Sequence, residues 1–90
     1  MAKGIHDSRY RWMVRKLVQA RKEQGLSQEE VARRLDKPQQ YVSRYEICER
    51  RLDMIEFLDA AIALGLDGLK VAADAMAGLH DQGSEGVPAR

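Results

Sequence analysis

Residues 25–46 read GLSQEEVARRLDKPQQYVSRYE, and this stretch decides the architecture. Gly25 follows an apolar-periodic segment, the usual place for a glycine that ends a helix. Ser27 comes one apolar residue later, and Glu30 stands three positions after it. Together they make a capping box, in which each side chain accepts the other residue's backbone N–H. The helix opened there repeats as Gln28, Val31, Ala32, Leu35 and lasts two turns. Asp36, Lys37 and Pro38 break it, because the residue before a proline avoids the helical region while proline itself suits a first turn. A third helix is therefore expected from about Pro38 to Glu46, with Val42 and Tyr45 pointing inward.

Working outward, apolar residues upstream recur as Tyr10, Met13, Val14, Leu17 and Val18, the stripe of an amphipathic helix. Residues 1–8 show no period and read as a flexible arm. Downstream, residues 47–52 read as a loop. Asp53 with Glu56 forms a second capping box. The helix it opens carries the stripe Met54, Ile55, Leu58, Ala61, Ile62 and is closed by Gly65. Asp67 can cap a fifth helix over 68–77, with Leu69, Ala72, Ala73 and Met76 apolar. Residues 78–90 have the composition of a disordered tail. The expectation is an all-α domain of five helices over residues 9–77.

Composition narrows the function classes. The chain has 90 residues, 44% of them apolar and 32% charged, an ordinary globular balance. A single Cys excludes an internal disulfide, and two distant histidines offer no ligand cluster, so no metal or cofactor is expected. The apolar run at 60–66 is far short of the roughly 18 residues of a membrane span, and no signal peptide is apparent, so a cytoplasmic protein is expected. The net charge of +1 hides a division along the chain. Residues 9–51 carry twelve Lys/Arg against six Asp/Glu, a net +6, and residues 52–90 carry two against seven, a net −5. A basic half beside an acidic half suits a polyanion on one face, and two solvated helix faces equally well.

Two short helices joined by a tight turn, the second with a polar outer face, suggest a helix-turn-helix. Ala32 stands where the helices would cross closely, and Val31, Leu35 and Val42 can fill the angle between them. The outer face of the third helix holds Gln39, Gln40, Tyr41, Ser43 and Arg44. Gln can bond adenine N6 and N7, Arg guanine O6 and N7, and Ser adapts to either. Tyr41 is long enough for a thymine methyl or a phosphate. Gln28, opening the second helix, can offer its side chain and N–H to a phosphate, as can Lys37 in the turn and Arg50 and Arg51 in the following loop.

The run from GLSQEEVARRL to FLDAAIALGL resembles the Xre-type helix-turn-helix family, which includes the phage Cro and repressor proteins. The resemblance covers about residues 9–76. It is carried by Gly25, Leu26, Ser27, Gln28, Ala32, Val42, Ser43, Glu46, Ala63, Leu64 and Gly65 at the family's spacing. It implies a compact five-helix, lambda-repressor-like domain and a sequence-specific, usually dimeric, regulator that binds double-stranded DNA at palindromic operators. It also implies phosphate contact by Gln28, base reading by Gln39, Gln40, Ser43 and Arg44, and an Arg21–Glu46 pair joining the first helix to the third. Three features depart from the pattern. Asp36 stands where Gly is most frequent, Ile47 and Cys48 replace Asn-Gly, and no ligand-binding domain follows the fifth helix. Cys48 at a position favouring positive φ would cost roughly 1 kcal/mol, so a slightly different loop is expected there.

An enzyme is disfavoured: Asp53, Glu56 and Asp59 share a helix face, but capping and solvation explain them better than acid–base work. Cys48 beside Arg50 and Arg51 could sense redox state, although a lone Cys is more often inert. The serious rival is a protein-interaction module on the same fold, such as an antitoxin or anti-repressor, docking a protein partner on a side made of Met54, Phe57, Leu66, Leu69 and Met76. Against it, the Gln and Arg chemistry of the third helix favours a DNA-binding repressor of prokaryotic or phage type. Its homodimer would form through Leu66, Leu69, Ala72, Ala73 and Met76, with recognition helices about 34 Å apart.

Overall fold

A computed structural model describes residues 7–78 of the chain. The arm expected over 1–8 and the tail expected over 78–90 lie outside the described residues, except for Asp7, Ser8 and Gly78. The described residues form five helices and no strand: α1 (Ser8–Glu23), α2 (Gln28–Leu35), α3 (Gln39–Glu46), α4 (Met54–Ala63) and α5 (Gly68–Met76). Both capping boxes form, Ser27 with Glu30 at α2 and Asp53 with Glu56 at α4. Asp7 and Asp67 cap α1 and α5 by accepting the N–H groups of Arg9 and Lys70. The amino end of α3 differs, because Pro38 precedes it and supplies no side-chain cap.

The core gathers residues from every helix. Leu17, Val31, Val42, Tyr45, Ala60, Ala61 and Ala75 are fully buried. The helix α1 packs on α3 and α5, α2 packs on α3 and α4, and α4 packs on α5. Because α1 is covered from two sides, its buried face is wider than the stripe expected from periodicity. Trp12 and Ala20 join Val14 and Leu17 in the interior, while Tyr10, Met13 and Val18 are half-buried. Tyr10 also ties the start of α1 to the loop before α4, its hydroxyl accepting the Leu52 N–H at 2.8 Å.

The expected face of α4 is corrected. Met54, Ile55 and Ile62 are exposed, and the helix buries Phe57, Ala60 and Ala61, with Leu64 just beyond it. The reason lies in α5. Gly68 sits so close to α4 that an added Cβ would lie 2.8 Å from Leu58 Cδ2 and 3.0 Å from Ala61 Cβ. Only a glycine lets α5 approach the Phe57–Ala61 side. Burial of Phe57 also removes it from the partner-docking side read from the sequence.

Two side chains finish α4, whose last turn has no basic residue. Arg34 donates to the Ala63 carbonyl at 2.8 Å and Gln24 to the Leu64 carbonyl at 2.7 Å, satisfying acceptors that a helix end leaves open. Asp36 and Cys48 both take left-handed backbone, φ 58° and 60°. The loop after α3 therefore keeps the positive φ that the sequence reading expected it to avoid, and Cys48 accepts a strain of roughly 1 kcal/mol. Its side chain is half-buried against the core.

The tyrosines predict an alkaline limit to stability. Burial pushes the Tyr45 phenol well above its ordinary value and raises those of Tyr10 and Tyr41. Above about pH 10 the unfolded chain releases these protons while the folded chain retains them. The stability linked to them is complete below that pH and is lost as pH rises through the folded values. The Tyr45 hydroxyl is buried without a hydrogen-bond partner. Tyr45→Phe should therefore flatten the alkaline limb without destabilising the protein at neutral pH, since it removes an unpaired polar group. Denaturant unfolding at pH 7, 10 and 11 measures both effects.

Candidate nucleic-acid interface

The angle between α2 and α3 is built as a helix-turn-helix requires. Val31 and Ala32 of α2 and Val42 and Tyr45 of α3 are buried in it, with Leu35 partly buried at the end of α2. Asp36 makes the turn in the left-handed region, its N–H reaching back to Ala32 and Arg33 carbonyls. The tight turn leaves one side of α3 uncovered. Gln39, Gln40 and Arg44 are exposed there, and Ser43 is half-exposed with its hydroxyl donating to the Gln40 carbonyl at 3.4 Å.

A chain of polar contacts leads from the interior to that surface. Arg21 of α1 grips Glu46 of α3 with two nitrogens of its guanidinium, Nε at 2.6 Å from Oε2 and Nη2 at 3.0 Å from Oε1. The side chains are only 13% and 7% exposed, and the third guanidinium nitrogen donates to the Leu26 carbonyl at 3.0 Å. Glu46 Oε1 also accepts from the Gln28 amide at 2.9 Å, and the Gln28 carbonyl oxygen accepts from the Gln39 amide at 2.8 Å. The part-buried ion pair thus orients Gln28, and Gln28 orients Gln39. Arg21, Ser27, Gln28, Glu29 and Gln39 line an open depression at the amino end of α2. The first N–H groups of a helix have no intrahelical acceptor, and of those in α2 the Glu30 N–H is taken by the Ser27 hydroxyl.

Other sequence-derived residues are placed differently. Tyr41 is half-buried against the core and meets Tyr45 edge to face at 5.8 Å. Lys37 is exposed, with Nζ 5.3 Å from the centre of the Tyr41 ring. Arg51 is exposed in the loop. Arg50 points elsewhere: its guanidinium makes two bonds to Glu56, at 2.9 and 3.2 Å, and stacks 4.6 Å from the centre of the Tyr41 ring. This pairing holds the Glu56 carboxyl below its usual range, helped by the Asp53 N–H, and was not foreseen because Glu56 already had a complete role in its capping box. On α5, Leu69, Ala73 and Met76 are exposed, while Leu66 and Ala72 are half-buried. The Met76 sulfur lies 3.7 Å from an Arg9 guanidinium nitrogen.

No group of three His, Cys, Asp or Glu among the described residues could hold a metal ion, and no described helix is long and apolar enough to cross a membrane.

Two short helices at a tight turn, a braced polar face on the second and a capped amino end on the first define a helix-turn-helix protein. Residues 17–70 match the helix-turn-helix family model HTH_3. The fold is also similar to the solved structure of an XRE-family like protein from Pseudomonas syringae pv. tomato str. DC3000, at 41% identity and a TM-score of 0.76 over 84% of this chain and 93% of that one. The chain belongs to the Xre-type helix-turn-helix family, a family of DNA-binding regulators and not of enzymes. Among curated proteins none matches it.

Proposed function

We propose that the chain is a sequence-specific transcriptional repressor that binds palindromic double-stranded DNA as a homodimer, with α3 in the major groove. The observation that carries this reading is the contact chain from Arg21 through Glu46 and Gln28 to Gln39. A solvated helix face has no need of such a brace. A face that must present amides to base edges in one orientation does. In this reading Gln39, Gln40, Ser43 and Arg44 read bases, and Gln28, Lys37 and Arg51 hold phosphates. The domain spans residues 9–77, acts in the cytoplasm and requires no cofactor.

Exposed Leu69 and Met76, 65% and 66% accessible, support the homodimer. They stand seven residues apart with Ala72 and Ala73 between them, a seam along which a second α5 can approach closely. Two symmetric α3 helices about 34 Å apart would then enter successive major grooves. Selection from a random duplex pool tests the function. A repressor of this kind enriches a palindrome, whereas a protein-interaction module enriches no sequence. Sedimentation at tens of micromolar tests the assembly. Monomer alone, with and without the selected duplex, would sink the dimer, and Leu69→Lys should convert a dimer to monomer.

A further inference from the structure

The amino end of α3 carries the proposed readers Gln39 and Gln40, yet it lacks the device that steadies the other helices. Pro38 gives no side-chain cap, and an uncapped first turn frays. The next residue, Tyr41, is where this turn is gripped. Its ring meets the edge of Tyr45 on one side and lies 4.6 Å from the Arg50 guanidinium. Arg50 is itself fixed by its two bonds to Glu56, and Glu56 is fixed by the α4 capping box, accepting the Asp53 N–H at 2.9 Å. The links therefore run from the start of α4, through Glu56 and Arg50, to the first turn of α3. A guanidinium stacked on an aromatic face while its Nη1 and Nη2 bond a carboxylate is a stiff arrangement.

We propose that Arg50 is a positioning residue: it stands in for the missing cap by clamping Tyr41, and base reading by Gln39 and Gln40 depends on it although it contacts no DNA. This inference rests on the reading of α3 as the recognition helix. It assigns Arg50 and Lys37 opposite roles despite their shared neighbour. Lys37, exposed beside the Tyr41 ring, is left for phosphate, whereas Arg50 is tied to Glu56.

The test compares Arg50→Ala, Lys37→Ala, Tyr41→Leu and Tyr41→Phe on a duplex selected by the wild-type protein and on the same duplex with the bases under Gln39 and Gln40 changed, across a salt series. Amide hydrogen exchange over residues 39–43 is measured on the same proteins without DNA. Arg50→Ala should lower affinity for the selected duplex about tenfold, reduce the preference over the altered duplex, and leave the salt slope unchanged. Lys37→Ala should lower the salt slope by about one and keep the preference. Tyr41→Leu should reproduce Arg50→Ala, and Tyr41→Phe, which keeps the ring, should resemble wild type. Without DNA, exchange over 39–43 should quicken in Arg50→Ala relative to the rest of the core. A reduced salt slope with retained preference would make Arg50 a phosphate contact and overturn the proposal. Uniform loss of affinity, or unchanged exchange at the start of α3, would overturn it equally. If the wild-type protein selects no duplex, the recognition-helix reading fails, and the exchange measurement still decides whether the clamp exists.

Discussion

Glu46→Gln should lower the melting temperature by roughly 12–24 °C, the shift expected for a loss of about 3 kcal/mol in a domain of this size. The argument starts from burial. Arg21 and Glu46 are 13% and 7% exposed and bonded at two points. Removing the negative charge leaves a largely enclosed guanidinium without its counter-charge, and uncompensated charge is what makes broken pairs costly. Arg21 retains its bond to the Leu26 carbonyl and at most one neutral bond to the amide oxygen at position 46. A pair replaced at both ends by apolar groups leaves no such charge, so Arg21→Met with Glu46→Leu should recover much of the lost stability. It should not recover DNA binding, because Gln28 loses the carboxylate that holds its amide. Thermal unfolding and titration with a selected duplex, run on both variants, separate these effects. A single variant as stable as wild type would mean that the pair contributes nothing, and a double variant binding like wild type would remove the brace from the account of recognition.

Most of the architecture was legible because helix ends are local chemistry. Ser27 with Glu30, Asp53 with Glu56, Asp67, Gly25 and Gly65 each act within a few residues of themselves, and each stands at a boundary in the structure. The face of α4 was not legible for a definite reason. Met54, Ile55, Phe57, Leu58, Ala60, Ala61 and Ile62 are apolar on nearly every side of the helix. Two stripes of correct period can be drawn through them, and periodicity does not choose between them. The choice comes from Gly68, whose missing side chain admits α5 on one side only. Arg50 failed to be legible for a related reason. In sequence it is a basic residue in a loop after a recognition helix, which suits a phosphate. Its partners Tyr41 and Glu56 lie nine positions before it and six after it, and no local rule joins them. Cys48 taught a smaller lesson, since the tight turn that ends α3 imposed positive φ on a residue that ordinarily avoids it.

Arg44→Ala and Arg51→Ala should differ in kind and not only in degree. Arg44 stands one turn beyond Gln40 on the exposed side of α3, and Arg51 stands exposed in the loop that follows. A guanidinium at a base edge makes two bonds to guanine that no other base pair reproduces. Its loss should cost roughly 1–3 kcal/mol per half-site and relax the preference at one base pair. A homodimer carries the change twice, so binding to a palindrome should fall by the product of the two half-site losses, while a duplex already mismatched at that base pair loses far less. A guanidinium at a phosphate carries no such discrimination. Arg51→Ala should weaken matched and mismatched duplexes alike, and its salt slope should fall by about one for each lost contact, because each neutralised phosphate releases counterions on binding. Titrations of both variants against matched and singly mismatched duplexes over a salt series supply the comparison. Should Arg44→Ala lose affinity evenly across sequences and flatten the salt dependence, Arg44 would be a phosphate contact. The reading face of α3 would then be centred on Gln39 and Gln40 alone, turned toward the end that Gln28 braces.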